Sequence, residues 1–220
     1  MGSPNRSGPE IVSPPPELQS EMKQLPNTPI TFSPIYQKRV WGGRKLETLY
    51  QRKLPDTDTP SGESWEISDR PEAQSIVTSG PLEGKSLHHL WANYRIELFG
   101  DYKSERFPLL IKILDAQADL SIQVHPPQHM ADSLNGEAKT EMWYIAQAEP
   151  DATIYVGLKN GTTTQAFEEA LNNGDPDKLV HAIPPKSGEF INIPSGRLHA
   201  IGAGLVIYEI QQNSDTTYRV

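Results

Sequence analysis

Gly188-Glu189-Phe190-Ile191-Asn192-Ile193-Pro194-Ser195-Gly196-Arg197-Leu198-His199 is a strand, a turn and the start of a second strand. Apolar residues cluster before Pro194, and Pro194 with Gly196 supplies the chemistry of a tight turn. Glu189 to Ile193 is one predicted strand and Leu198 to Ile201 the next. His199 stands near the start of the returning strand, where it can point inward. A lone histidine in that place is more often a hydrogen-bonded core residue than a ligand, so its meaning depends on what the rest of the chain offers.

Two other stretches offer partners. In Asp119-Leu120-Ser121-Ile122-Gln123-Val124-His125-Pro126, strand alternation puts Leu120, Ile122 and Val124 on one face. Ser121, Gln123 and His125 fall on the other, with Gln123 and His125 about 7 Å apart along the strand. Alone, this peptide reads as a solvent-facing polar stripe ended by Pro126 and Pro127. In Lys139-Thr140-Glu141-Met142-Trp143, Lys139 and Glu141 share a face within an aromatic, strand-like run. An exposed pair of that kind contributes little, but an aromatic strand is a poor place for an exposed pair. Taken together, Gln123, His125, Glu141 and His199 supply two imidazoles, a carboxylate and an amide oxygen. That set suits one first-row metal ion with a position open to water or substrate.

Further out, Glu63 to Ile67, Gln74 to Val77, Phe107 to Leu114, Leu120 to His125, Glu141 to Ala146, Thr153 to Leu158 and Leu205 to Gln211 are predicted strands. Ser86 can cap a helix running towards Gly100. Thr163 or Thr164 can cap another that carries Phe167 and Leu171 and ends at Gly174. Short strands separated by Gly, Pro and Asn turns indicate a mainly β chain, a sandwich or barrel with a few short helices. Residues 1–29 differ: eight of the 20 prolines precede Ile35, and no aromatic precedes Phe32. The expectation is a disordered Pro/Ser-rich tail before a domain at 30–220.

Composition removes several function classes. With 20 Lys and Arg against 28 Asp and Glu, the net charge is −8, which argues against general nucleic-acid binding. The absence of cysteine excludes disulfides, thiolate zinc sites and cysteine nucleophiles. No run of 18 apolar residues exists and Met1 to Ser20 lacks a signal-peptide stretch, so the expectation is a soluble cytoplasmic protein with no membrane partner.

Gly188 to His199 fits the second cupin signature, although Ala203 stands where its closing asparagine belongs. Gln123 replaces the first histidine of the first signature. The strings LLIKILDAQADLSIQVHP, KTEMWY, NIPSGRLHAIGAGLVIYEIQQNSDTTYR and GESWEIS resemble type I mannose-6-phosphate isomerases of the compact bacterial form, over roughly Ile30 to Val220. The resemblance implies a cupin (jelly-roll) β-sandwich and one Zn2+ per chain on Gln123, His125, Glu141 and His199. It also implies Lys112, Lys139, Glu209 and Arg219 as catalytic residues, with Ser121, Lys139 and Arg219 holding substrate. The implied reaction is the interconversion of mannose 6-phosphate and fructose 6-phosphate through an enediol.

The residue types agree with that chemistry. A metal can polarise a carbonyl and stabilise a developing oxyanion, a base must move a proton from carbon to carbon, and lysine and arginine suit a phosphorylated sugar. Residue types leave Glu209, Lys139 and a metal-bound water open as the proton carrier. A sugar-phosphate-binding cupin without turnover is the alternative. The intact residue set disfavours it, as Gln123 and the surrounding cations disfavour an iron oxygenase. The resemblance also implies a further β-rich segment after Arg219, on the order of a hundred residues. Without it, the expectation is either a homo-oligomer covering the exposed edge or reduced stability and activity, unless the chain is a piece of a longer protein.

Overall fold

The computed structural model describes residues 28–55 and 58–220; the predicted tail lies almost wholly outside them. The chain runs through β1 (Ile35–Gly43), helix α1 (Lys45–Tyr50), β2 (Ser61–Ile67) and a small hairpin of β3 (Asp69–Arg70) and β4 (Ala73–Gln74). Helices α2 (Leu87–Asn93) and α3 (Arg95–Leu98) follow, then β5 (Leu109–Ala116), β6 (Gln123–Val124) and the short helix α4 (Gln128–Ala131). Next come β7 (Glu141–Ala148), β8 (Ile154–Leu158), helix α5 (Thr164–Asn173) and β9 (Val180–Ile183). The last strands are β10 (Phe190–Ile193), β11 (His199–Ile201), β12 (Leu205–Gln212) and β13 (Tyr218–Arg219).

These strands form a six-stranded sheet, ordered β1-β2-β5-β12-β7-β10, and a five-stranded sheet, ordered β13-β6-β11-β8-β9. Their pairings are antiparallel. The main core lies between them. Leu114, Ala116, Ile145, Leu205 and Ile207 of the larger sheet meet Ile154 and Ile201 of the smaller. Burying each such aliphatic side chain contributes about 1.5–3 kcal/mol, and Ile207→Ala would cost about 2–5 kcal/mol. The arrangement is the mainly β, cupin-type sandwich expected from the sequence.

Alternation positions the site. On β12, Val206 and Tyr208 face outward and pack with Ile113 near Leu46 of α1. Leu205, Ile207 and Glu209 face inward. The same inner face therefore changes character along its strands: Leu114 gives way to Lys112, Ile145 to Glu141 and Ile207 to Glu209. One end of the sandwich is sealed by hydrocarbon, and the other carries buried charge.

Three predicted elements differ in form. The ladder of Leu120 to His125 shrinks to Gln123–Val124. The Leu120 amide donates to the Ile201 carbonyl in a loop, and Asp119 accepts from the Ala203 amide, so the approach to β6 is not strand. Of Gln74 to Val77, only Gln74 lies in a ladder; Ile76 and Val77 make isolated bridges to Ser86 and Phe32. The helix capped by Ser86, whose hydroxyl accepts from the His89 amide, breaks at Tyr94 (φ −130°, ψ 26°) into α2 and α3. The helix at Thr164 starts as expected, with the Thr163 hydroxyl accepting from the Ala166 amide.

Candidate metal centre and adjoining cavity

Four local structures bring the predicted ligands together. The turn Pro194-Ser195-Gly196 closes with the Arg197 amide donating to the Pro194 carbonyl. Gly196 has φ +82°, the left-handed region that only glycine enters freely, and its amide donates to the His125 carbonyl at 2.8 Å. That bond ties the turn before His199 to the end of β6. Gln123 pairs in register with His199 on one side and Arg219 on the other, so all three share one face. Glu141 opens β7 in the opposite sheet, which makes the centre a bridge between sheets.

His125, Glu141 and His199 are buried, and their candidate ligand atoms lie within 4.8 Å of one another. Nδ1 of His125 is 2.9 Å from the Thr216 carbonyl, and Nδ1 of His199 is 2.8 Å from the Arg197 carbonyl. A carbonyl only accepts, so each Nδ1 carries a proton, and in the neutral ring that binds metal each Nε2 keeps its lone pair. Those lone pairs face the Glu141 carboxylate: His199 Nε2 is 3.3 Å from Oε1, and His125 Nε2 is 3.5 Å from Oε2. Neither nitrogen nor either oxygen has a hydrogen bond of acceptable geometry. The Lys139 ammonium sits 2.9 Å from Oε2 as an ion pair, but off the direction of a good hydrogen bond.

Burial pulls the His199 ring down to about 4 against the opposing pull of Glu141, so it is neutral near pH 7. Burial alone would raise the Glu141 carboxyl, yet Lys139, with His125 and His199, holds it well below the usual carboxylate range. Buried acceptors facing acceptors repel unless a cation lies among them. These residues fit a divalent metal ion, with Gln123 on the same face able to add an amide oxygen.

Beside the centre lies a cavity of about 660 Å³. Its wall includes Ser121, Gln123, Lys112, Lys139, Glu209 and Arg219, so every substrate or catalytic residue expected from sequence is there. Lys112 and Lys139 are buried and straddle Glu209 Oε1, at 3.5 and 3.7 Å. Glu209 Oε2 accepts from the Trp143 indole at 3.2 Å, and the Trp143 ring meets His199 edge-on. Burial alone would lower the Lys139 ammonium, but Glu209 and Glu141 push it up to about 12. Arg219 is exposed and has no carboxylate within 4 Å among the described residues. Its strand is tied down: Val220 donates to Ile122, and the Tyr218 hydroxyl donates to Leu134.

Several wall residues were not singled out in the sequence. Arg39, Trp41, Asp119, Asp215 and Thr217 line the cavity, and Glu63, noted there only as strand, does too. The Glu63 and Trp65 spacing was the available signal, because residues two apart share a strand face. The backbone carbonyls of Thr216 and Arg197 left no side-chain signal at all. No helix among the described residues is long and apolar enough to cross a membrane.

A family model described as phosphomannose isomerase type I, catalytic domain, matches residues 30–169. The chain is 43% identical over 194 residues to mannose-6-phosphate isomerase ManA of Bacillus subtilis, covering 87% of this chain and 60% of that protein. It is also 43% identical over 193 residues to the mannose-6-phosphate isomerase of Streptococcus mutans, again covering 87% and 60%. The crystal structure of the mannose 6-phosphate isomerase from Bacillus subtilis shares the fold with a TM-score of 0.81 at 39% identity, over 88% of this chain and 61% of that one. The chain thus spans about 60% of the length of the curated relatives it matches.

Proposed function

The chain belongs to the type I phosphomannose isomerase family, and from that premise we propose that it interconverts mannose 6-phosphate and fructose 6-phosphate with one zinc ion held by Gln123, His125, Glu141 and His199. The observation that carries this reading is the orientation of the two imidazoles. Both Nδ1 protons are committed to backbone carbonyls, so both Nε2 lone pairs face an ionised carboxylate. Neutral His and an anionic carboxylate form a donor set for a divalent metal.

Bound there, zinc would act as a Lewis acid on the sugar carbonyl. The residues of the chain supply the rest. Moving a proton between C1 and C2 requires a base within reach of both carbons. Glu209 and Glu141 hold Lys139 as an ammonium, the form that donates rather than takes a proton, which favours Glu209 over it as that base. Glu209 is assigned the role, with the Trp143 indole fixing one oxygen and two lysines beside the other. Lys139 and Lys112 would steady the charge that develops on the enediol oxygens. The phosphate is assigned to Arg219, since the lysines are already matched by carboxylates and Arg219 is not. Ser121 would donate a hydrogen bond from the same wall.

Metal content and turnover measured on one preparation test this. The expected result is one zinc per chain and fructose 6-phosphate formed from mannose 6-phosphate, with free mannose a much poorer substrate. Equal turnover of free mannose would overturn the phosphate assignment to Arg219. Turnover unaffected by complete zinc removal would overturn the metal assignment.

A further inference from the structure

The cavity's charged row does not stop at Lys112. Its far end is built from β1 and β2, and neither of the proposed reacting groups lies there. Glu63 is buried, with one oxygen accepting from Arg39 Nε at 2.9 Å. The other accepts from the Trp65 indole at 2.6 Å and from Arg39 Nη2 at 3.4 Å, and lies 3.9 Å from the Lys112 ammonium. Lys112 also stands 5.1 Å over the Trp65 ring. It thus lies between two carboxylates that are each held by a tryptophan indole, Glu63 and Glu209. It is nearer to Glu209, at 3.5 Å.

The backbone makes room for this arrangement. The β1–β2 register slips twice, so Lys38 and Gly43 both pair with Ser61 and residues 39–42 bulge out. A Cβ on Gly62 would come within 2.5 Å of Arg39 Cβ and 2.8 Å of the Trp41 ring. A Cβ on Gly42 would come within 2.3 Å of the Gly62 amide nitrogen. Only glycine at both places lets the bulge lie flat on β2 and aim Arg39 at Glu63. Val40, the next residue, is left fully in solvent at 99% exposure, so the bulge does not exist to bury it.

We propose that Arg39 is a positioning residue for the cavity: by taking one edge of Glu63 it keeps that carboxylate from capturing Lys112, which leaves the ammonium directed at Glu209 and the substrate. The proposal rests on the cavity being the isomerase site. The physical argument is charge matching. Two buried carboxylates that share one lysine would compete for it, and a bidentate guanidinium removes the competition. The groups facing Glu63 are Arg39 from β1, Trp65 from its own strand and Lys112 from β5. Burial alone would raise its carboxyl, but Lys112 and Arg39 hold it below the usual value.

Arg39→Gln tests this with two readouts. The first is steady-state turnover of mannose 6-phosphate, where kcat is expected to fall at least ~10-fold with KM little changed. The second is the Trp65 indole N–H resonance, assigned by Trp65→Phe and followed against pH. Its titration is expected at higher pH in Arg39→Gln than in the parent, because Glu63 then keeps its proton longer. Gly62→Ala, which displaces Arg39 without removing its charge, should reproduce the loss in kcat, while Arg39→Lys should restore only part of it. A raised KM with unchanged kcat would overturn the proposal and make Arg39 a direct substrate contact. A Trp65 resonance that titrates as in the parent would overturn it independently of turnover. A parent chain without isomerase activity would refute the proposed function, leaving the indole titration to decide whether Arg39 governs Glu63.

Discussion

At Glu141 both carboxylate oxygens look onto imidazole nitrogens that also carry lone pairs, whereas at Glu63, three strands away in the same sheet, each oxygen already has an N–H donor. Both glutamates are buried and both face the interior. Glu63 is complete within the chain, closed by Arg39, Trp65 and Lys112. Glu141 has the Lys139 ammonium beside one oxygen, whereas the other faces His199 Nε2 and neither oxygen has a well-directed hydrogen bond. The difference separates a wall that is closed by its own charges from a centre whose residues could hold a metal ion. It also explains why charges can be buried at this end of the sandwich. An unpaired buried charge would cost several kcal/mol, and Glu63, Lys112, Glu209, Lys139 and Glu141 each have an opposite charge within 4 Å.

The largest break in this comparison comes from removing a ligand. His199→Ala should abolish stoichiometric zinc binding, measured by elemental analysis. Turnover should fall by more than ~10²-fold, beyond the loss typical of groups that only support a ligand. A smaller effect is expected within the wall. Glu209→Gln and Arg219→Ala should each lower kcat/KM at least ~10-fold while zinc content stays at the parent level, since a transition-state contact contributes a few kcal/mol. Parent-like rates in either variant would remove that residue from the site.

Next is pH, read on the metal-stripped protein by thermal or denaturant unfolding. The His199 ring is held near 4 when folded, against about 6.5 when unfolded. The unfolded chain therefore binds the extra proton first, so stability is full above about pH 6.5 and declines as pH falls towards 4. The loss should be on the order of 3 kcal/mol, and zinc should suppress it by excluding the proton. Stability flat over that window would contradict a neutral buried His199. The smallest effect should come from deleting residues 1–29, which carry no aromatic residue. The melting temperature and zinc content should stay at the parent values, and a chain that failed to fold would show that the segment packs on the domain.

Much of the fold was legible because a buried strand leaves a local run of apolar residues. The runs around Leu109–Ala116, Glu141–Ala148 and Leu205–Gln212 are rich in apolar, β-branched and aromatic residues, and each is a central strand. β1 left no such pattern: Ile-Tyr-Gln-Lys-Arg-Val-Trp-Gly-Gly slips register twice and leaves Val40 in solvent. The centre was legible as ligand types on short motifs, and His125, Glu141 and His199 do meet. The matched row was not legible, because it depends on register. Lys112 lies opposite Trp65 and Glu209 only once β5 has paired on both edges. Arg39 reaches Glu63 only through a bulge that two glycines permit.

Zinc titrated calorimetrically into the metal-stripped chain, with His199→Ala and Arg39→Gln alongside, tests the central claim most directly. One ion per chain should bind to the parent and to Arg39→Gln, and uptake should be lost in His199→Ala. A parent that takes up no zinc, or a His199→Ala variant that binds it as the parent does, would contradict the assignment of the unpaired acceptors at Glu141 to a metal.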